Sequence, residues 1–251
     1  MKKRWRITCL LIIVLLTGTA LLLYPTVSSA WNRAHQGRVI ADYLEQRKAT
    51  DDSRDEQLLA EARSYNQRLA RLGGGFELSG EARSEFLSML GADGGAVGYL
   101  EIPGIGLRLP VYLGTDEAVL QMGAGVLEGS SLPVGGADTH TVITGHCGLP
   151  NATLFTHLDR LTIGDEVVLY VLGETMYYEV SAVEIVAPYE MEALSVRSGE
   201  DLCTLVTCTP YGINSHRLLV RCRRQPEKEQ DGGYARWEEE IQDEKTPKAI
   251  G

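Results

Sequence analysis

Thr204-Leu205-Val206-Thr207-Cys208-Thr209-Pro210-Tyr211-Gly212-Ile213-Asn214-Ser215-His216-Arg217-Leu218-Leu219-Val220-Arg221 sets two strand-like runs on either side of a Pro-Tyr-Gly-Ile-Asn turn, which predicts an antiparallel β-hairpin. A register symmetric about the turn puts Cys208 opposite Arg217 and Cys203 opposite Cys222. Alternate residues of a strand share a face. Cys203, Leu205, Thr207, Leu218, Val220 and Cys222 therefore form a mainly apolar, core-facing row. Thr204, Val206, Cys208, Arg217, Leu219 and Arg221 form the opposite one. Cys208 thus emerges at a strand end beside a cation, on the face turned away from the core. A neighbouring guanidinium favours thiolate over thiol, the condition for a nucleophilic cysteine.

A second fragment, Thr144-Gly145-His146-Cys147-Gly148-Leu149-Pro150, places a histidine just past a strand and before a Gly-Pro loop. A lone histidine is more often structural. A thiolate that attacks an amide, however, needs a group to protonate the leaving amine, and an imidazole with a pKa of about 6.5 suits that role.

Working outward, the chain from Val97 reads as short β-branched and aromatic runs punctuated by Gly, Pro and Asp. They are residues 98–103, 107–113, 139–144, 166–172, 176–186, 204–209 and 217–223, a spacing that suggests a barrel or sandwich. Short helices fit between them at residues 116–122 and 152–158. Residues 32–72 are rich in Ala, Arg, Gln, Glu and Leu. Leu58, Leu59, Ala62, Tyr65 and Leu69 stand at helical spacing, which predicts one or two amphipathic helices. Leu72-Gly73-Gly74-Gly75 ends that pattern, a further short helix covers residues 82–90, and Gly91 to Gly95 is a breaker-rich link.

No charge occurs between Ile7 and Asn32. The apolar run from Ile7 to Tyr24 is long enough to cross a hydrocarbon core of about 30 Å. Lys2, Lys3, Arg4 and Arg6 precede it, so the expectation is one span with a cytoplasmic N-terminus and everything after Pro25 outside. Ser28-Ser29-Ala30 has the small-residue character of a signal-peptide cleavage site. The apolar run exceeds an ordinary signal-peptide core, which favours an uncleaved anchor.

The 251 residues carry 34 acidic and 24 basic side chains, net −10. Because the first thirty residues contribute only positive charge, the remainder is more acidic still, a poor surface for nucleic acid. Five cysteines without paired CxxC spacing write neither a zinc ribbon nor a dense disulfide framework. Residues 225–251 are strongly charged and read as a solvated helix or a disordered arm.

The hairpin resembles the signature of sortases, and its variant is closest to the pilin-polymerising class C. Residues 98–103, Leu127 to Gly135, Thr144-Gly145-His146 with Gly148-Leu149-Pro150, and Leu154-Phe155 before Leu158-Asp159 match in order. The resemblance covers about residues 96 to 224. It implies a mainly β fold, an eight-stranded β-barrel with short helices. The organisation expected is then a membrane anchor over residues 1–31, a helical linker and lid region over 32–95, the catalytic barrel over 96–224, and the tail over 225–251.

It further implies a cysteine transpeptidase acting on sorting signals like Leu-Pro-x-Thr-Gly, borne by pilins or surface proteins. Carried over by motif, Cys208 attacks the Thr carbonyl to form a thioacyl enzyme, and His146 moves protons for the leaving and incoming amines. Arg217 stabilises the oxyanion or positions the peptide. The acceptor implied is a lysine amine of another pilin subunit, or, in the housekeeping type, a peptidoglycan precursor. The setting implied is a Gram-positive-type cell membrane with the catalytic domain outside. No cofactor is implied.

Several features depart from the family pattern. Class C members usually carry an Asp-Pro-aromatic lid motif before the barrel, where this chain reads Gly73-Gly74-Gly75-Phe76-Glu77-Leu78. Of that motif only an aromatic, Phe76, is left. Many also have a second, C-terminal span, which the charged tail replaces. Cys147 stands where Arg is common and Cys222 where Gly is common.

An extracytoplasmic setting tolerates oxidation, so Cys203 and Cys222 are expected to pair or touch, with two free core thiols as the alternative. Oxidation joining Cys147 to Cys208 would switch the enzyme off, whereas the usual divergence of adjacent side chains points Cys147 away from the cysteine that His146 must approach. A non-catalytic metal site built from His146, Cys147 and Cys208 is a rival of another class, opposed by the cation at Arg217. His35, His140, His157 and His216 are read as surface or structural, with His216 at the groove edge beside Arg217.

Overall fold

The computed structural model describes residues 2–72, 75–76, 78–149, 152–226 and 228. Among the described residues there are four α-helices and eight strands: α1 (Lys2–Ala49), α2 (Asp52–Arg71), α3 (Gly80–Ser88), β1 (Gly98–Ile102), β2 (Leu107–Leu113), α4 (Glu117–Met122), β3 (Ala124–Val126), β4 (Thr139–Thr144), β5 (Glu166–Val171), β6 (Glu174–Val186), β7 (Asp201–Thr209) and β8 (His216–Arg224). The strands close into a barrel in the order β1-β2-β3-β4-β7-β8-β6-β5. Two of its pairings, β2 with β3 and β4 with β7, are parallel.

The hairpin register is the symmetric one: Cys208 pairs with Arg217 and Cys203 with Cys222. The inward row of Cys203, Leu205, Leu218, Val220 and Cys222 joins Leu100, Val126, Ile143, Leu169 and Val180 in the barrel core. Closure removes every sheet edge, so the apolar face of each strand is buried without exposing a ladder. Cys203 and Cys222 are free thiols, fully buried, and burial pushes both well above the ordinary thiol range. Both should therefore resist iodoacetamide in the native protein and be alkylated in denaturant without reductant. Peptide mapping that found them linked would contradict this.

α2 is capped by the Asp51 carboxylate, which accepts from Ser53 N. It buries Leu59, Ala62, Tyr65 and Leu69, the predicted stripe, against the barrel. Asn66, from the same face, hydrogen-bonds both ways with the backbone of Leu132: its Nδ2 donates to Leu132 O at 3.0 Å and its Oδ1 accepts from Leu132 N at 2.7 Å. The short helix expected at 82–90 is α3, capped by Ser79. The one expected at 152–158 is a 3₁₀ segment over Leu154–Arg160.

The N-terminal region differs from expectation in one respect. The apolar run does not end as a separate element near residue 31 but continues to Ala49 as one helix, with Pro25 inside it. No further proline or glycine cluster follows Pro25 to break it, and its last turns are fixed by packing. Ile40, Tyr43 and Leu44 are buried against Tyr99, Val168 and Tyr170, and Gln36 Nε2 donates to Met122 O at 3.2 Å. Among the described residues α1 is the one helix long and apolar enough to cross a membrane, and none of its apolar stretch is buried. Of the expected tail, Gln225, Pro226 and Lys228 are described, and Lys228 Nζ donates to Glu166 at 2.8 Å. The rest lies outside the described residues.

Candidate active site

Two adjacent, parallel strands end side by side. Thr144 of β4 pairs with Val206 of β7. Beyond the ladder, Gly145 N donates to Val206 O at 3.1 Å and Thr207 Oγ1 donates to Gly145 O at 2.7 Å. These bonds lock the residue before His146 to the residue before Cys208. Gly145 is required here, because a Cβ would come within 2.7 Å of the Phe155 ring. The backbone of His146 is held from below by Phe155 N, which donates to its carbonyl at 3.0 Å.

Cys208, His146 and Arg217 line one groove of about 320 Å³, with Val206 and Leu219 at its base and Pro188, Met191 and Leu194 as a wall. A larger depression of about 770 Å³ between α2 and residues 135–139 contains no cysteine and no histidine. Arg217 is partly exposed, and its Nη1 donates to His216 O at 3.0 Å and Asn214 O at 3.3 Å. Those bonds fix the cation at the turn end of the hairpin.

His146 Nε2 is shielded from solvent without a hydrogen-bond partner, yet stands 3.4 Å from Glu117 Oε2 of α4. The contact is an ion-pair distance without hydrogen-bond alignment. Gln121, which donates to Glu117 Oε1 at 2.9 Å, and then His146 hold the Glu117 carboxyl below its usual range. Its side chain remains 68% exposed. Nothing in the local sequence marks Glu117, because only the closure of β2, α4 and β3 brings it over His146.

Cys147 is a partly buried free thiol. Burial first, then Asp159 and Cys208, raise its pKa, so it lies within electrostatic range of Cys208. Among the described residues no group of three or more His, Cys, Asp or Glu side chains gathers as a metal site. His216 does not line the groove. It is exposed and its ring meets Ser215 Oγ at 2.9 Å.

The face of β7 opposite the barrel core is covered rather than open. Val206 and Leu219 are buried with Val142 and Leu194, and Phe76 packs on that cluster. Gly75 and Phe76 reach it over Gly129, whose φ of +84° and whose overlap with Gly75 and Phe76, were a Cβ present, admit only glycine. Gly73, Gly74 and Glu77 of the expected lid lie outside the described residues.

Residues 100–225 match the family model described as the sortase domain. Sortase C1 from Streptococcus agalactiae is 42% identical and covers 75% of this chain and 98% of its own, with a TM-score of 0.73. Sortase C from Streptococcus pneumoniae is 44% identical, over 75% of this chain and 97% of its own, with a TM-score of 0.69. Sortase C from Clostridium perfringens, solved with the C-terminal cell wall sorting motif, is 40% identical, over 74% of this chain and 97% of its own, with a TM-score of 0.66.

The chain belongs to the sortase family. Sortases are cysteine transpeptidases, and these structural neighbours are of class C.

Proposed function

We propose that the protein is a pilin-polymerising sortase, anchored by α1 as a single-pass membrane protein with its barrel on the extracytoplasmic side of a Gram-positive-type surface. The convergence of Cys208, Arg217 and His146 on one groove supports the transpeptidase chemistry, and the likeness to class C sortases supports the pilin-polymerising class. The Cys208 thiolate adds to the Thr carbonyl carbon of a Leu-Pro-x-Thr-Gly-like signal, and Arg217 faces the oxygen that becomes negative. His146 gives its proton to the Gly nitrogen as the C–N bond breaks, leaving a thioester on Sγ. The incoming lysine amine of another pilin subunit then adds to that carbonyl, His146 takes its proton, and the C–S bond breaks to restore the Cys208 thiolate beside protonated His146. Splitting amide exchange into two acyl transfers replaces one high barrier by two lower ones. In this reading residues 32–95 form a helical support, and Phe76 acts as an aromatic plug.

Intact-mass measurement with a Leu-Pro-x-Thr-Gly peptide is expected to show one acyl adduct, mapped by fragmentation to Cys208. A lysine-bearing pilin peptide should discharge it. Discharge by peptidoglycan-type amines alone would instead assign the enzyme to wall anchoring, and an adduct on any other residue would overturn the assignment of Cys208.

A further inference from the structure

The groove wall is the segment between β6 and β7, and its innermost residue, Leu194, is buried. The carbonyls on both sides of Leu194 are each taken by a buried side chain from the barrel. Arg221 of β8 donates through Nη2 to Ala193 O at 3.2 Å and to Glu184 Oε2 at 2.9 Å. His140 of β4 sits with Nδ1 2.9 Å from Ser195 O and Nε2 2.7 Å from Thr204 Oγ1. A carbonyl can only accept, so Nδ1 carries the proton and the Thr204 hydroxyl donates to Nε2. Thr204 in turn pairs with Arg221 across the β7–β8 ladder, so β4, β7 and β8 present a single polar row to the wall.

Leu194 packs on Val142, Val206 and Leu219, with Met191 and Ala193 against the same cluster, but this packing covers one side of the segment only. Beside it lies a half-open cleft of about 170 Å³ lined by Phe76, Ser130, His140, Met191 and Leu194. A wall flanked by a half-open cleft is packed on one side only, and directional bonds then set its position on the other.

We infer that His140 and Arg221 are positioning residues for the groove. By gripping the carbonyls on either side of Leu194 they hold Leu194 and Met191 at a set height over Val206, on the strand that ends in Cys208, and so keep the groove open to a peptide. This rests on the reading of the groove as the peptide site. Neither side chain touches the reacting atoms, so their loss weakens peptide capture and leaves the nucleophile intact.

The test uses the full chain in detergent micelles, as His140→Ala, His140→Asn and Arg221→Gln, each confirmed folded by its melting transition. Loss of one buried bond is expected to raise KM for a fluorogenic Leu-Pro-x-Thr-Gly peptide about fivefold to thirtyfold, with kcat and the rate of Cys208 alkylation by iodoacetamide within about twofold of wild type. Amide exchange across residues 191–196 should accelerate by about tenfold or more. His140→Asn, whose amide N–H can replace Nδ1–H, should recover much of both effects.

If a variant fails to fold, Thr204→Val, which removes only the partner of Nε2, should show the same trend at smaller size. Unchanged exchange, or a fall in kcat at constant KM, would overturn the inference. Wild type that forms no acyl adduct would instead defeat the reading of the groove as a peptide site, and the exchange measurement would still decide whether the clamp exists.

Discussion

Cys208→Ala is expected to abolish transfer and hydrolysis of a Leu-Pro-x-Thr-Gly peptide, lowering kcat by at least about a thousandfold, because among the described residues no other cysteine lines the groove. The substitution removes one partly exposed sulfur at a strand end, so stability should change by less than about 1 kcal/mol. His146 and Arg217 are held by their own contacts, Phe155 to the one backbone and the turn carbonyls to the other cation, and stay in place without the thiol. The loss is therefore chemical rather than structural. Cys147 cannot substitute, because burial raises its pKa and favours the unreactive thiol. Peptide turnover assayed beside a melting curve checks this, and turnover by the variant above about one per cent of wild type would remove Cys208 from the nucleophile's role.

Acidification should destabilise the fold through His140. Burial, reinforced by Arg221 and Arg197 and only partly offset by Ser195 O and Glu200, lowers its pKa from 6.5 to about 4. Between those values the unfolded chain binds a proton that the native chain refuses, so stability rises with pH through this window and is complete above pH 6.5. At about 1.4 kcal/mol for each unit, acidification to pH 4 forfeits about 3 kcal/mol. Asp201 works in the opposite direction, since burial raises its carboxyl pKa and its contribution is lost as pH rises. The part due to His140 is therefore the difference between wild type and His140→Asn in urea unfolding at pH 7 and pH 4.5. Parallel stability curves for the two proteins would exclude it.

The hairpin was legible because its information is local. Alternation sorted its faces, the turn set its register, and Cys208 against Arg217 followed. The other strands announced themselves by β-branched runs, with one exception. Ala124-Gly125-Val126 has no strand character of its own and becomes β3 only because β2 and β4 lie on either side of it.

What a single strand cannot reveal is what covers its second face. Thr204 and Arg221 read as outward residues, yet both are buried under a segment that returns from β6. His140 likewise had no visible partner, because Ser195 and Thr204 lie 55 and 64 residues away in sequence. Glu117 reaches His146 across 29 residues by the same kind of closure. Long-range polar partners of this sort are set by topology, and propensity carries no trace of them.

If α1 anchors the protein as proposed, its unbroken course would make the protein a ruler. With its apolar turns seated in a bilayer, the helix leaves the lipid near Tyr24 and is fastened to the barrel at Gln36, twelve residues on, by the bond to Met122 that closes α4. At 1.5 Å for each helical residue that strut is roughly 18 Å long. A flexible tether would let the groove sweep a volume of heights. Under the proposed anchoring, this strut would hold the groove within a narrow range of heights above the lipid, and the span between a membrane-held substrate's own anchor and its cleavable bond would then decide which substrates reach it.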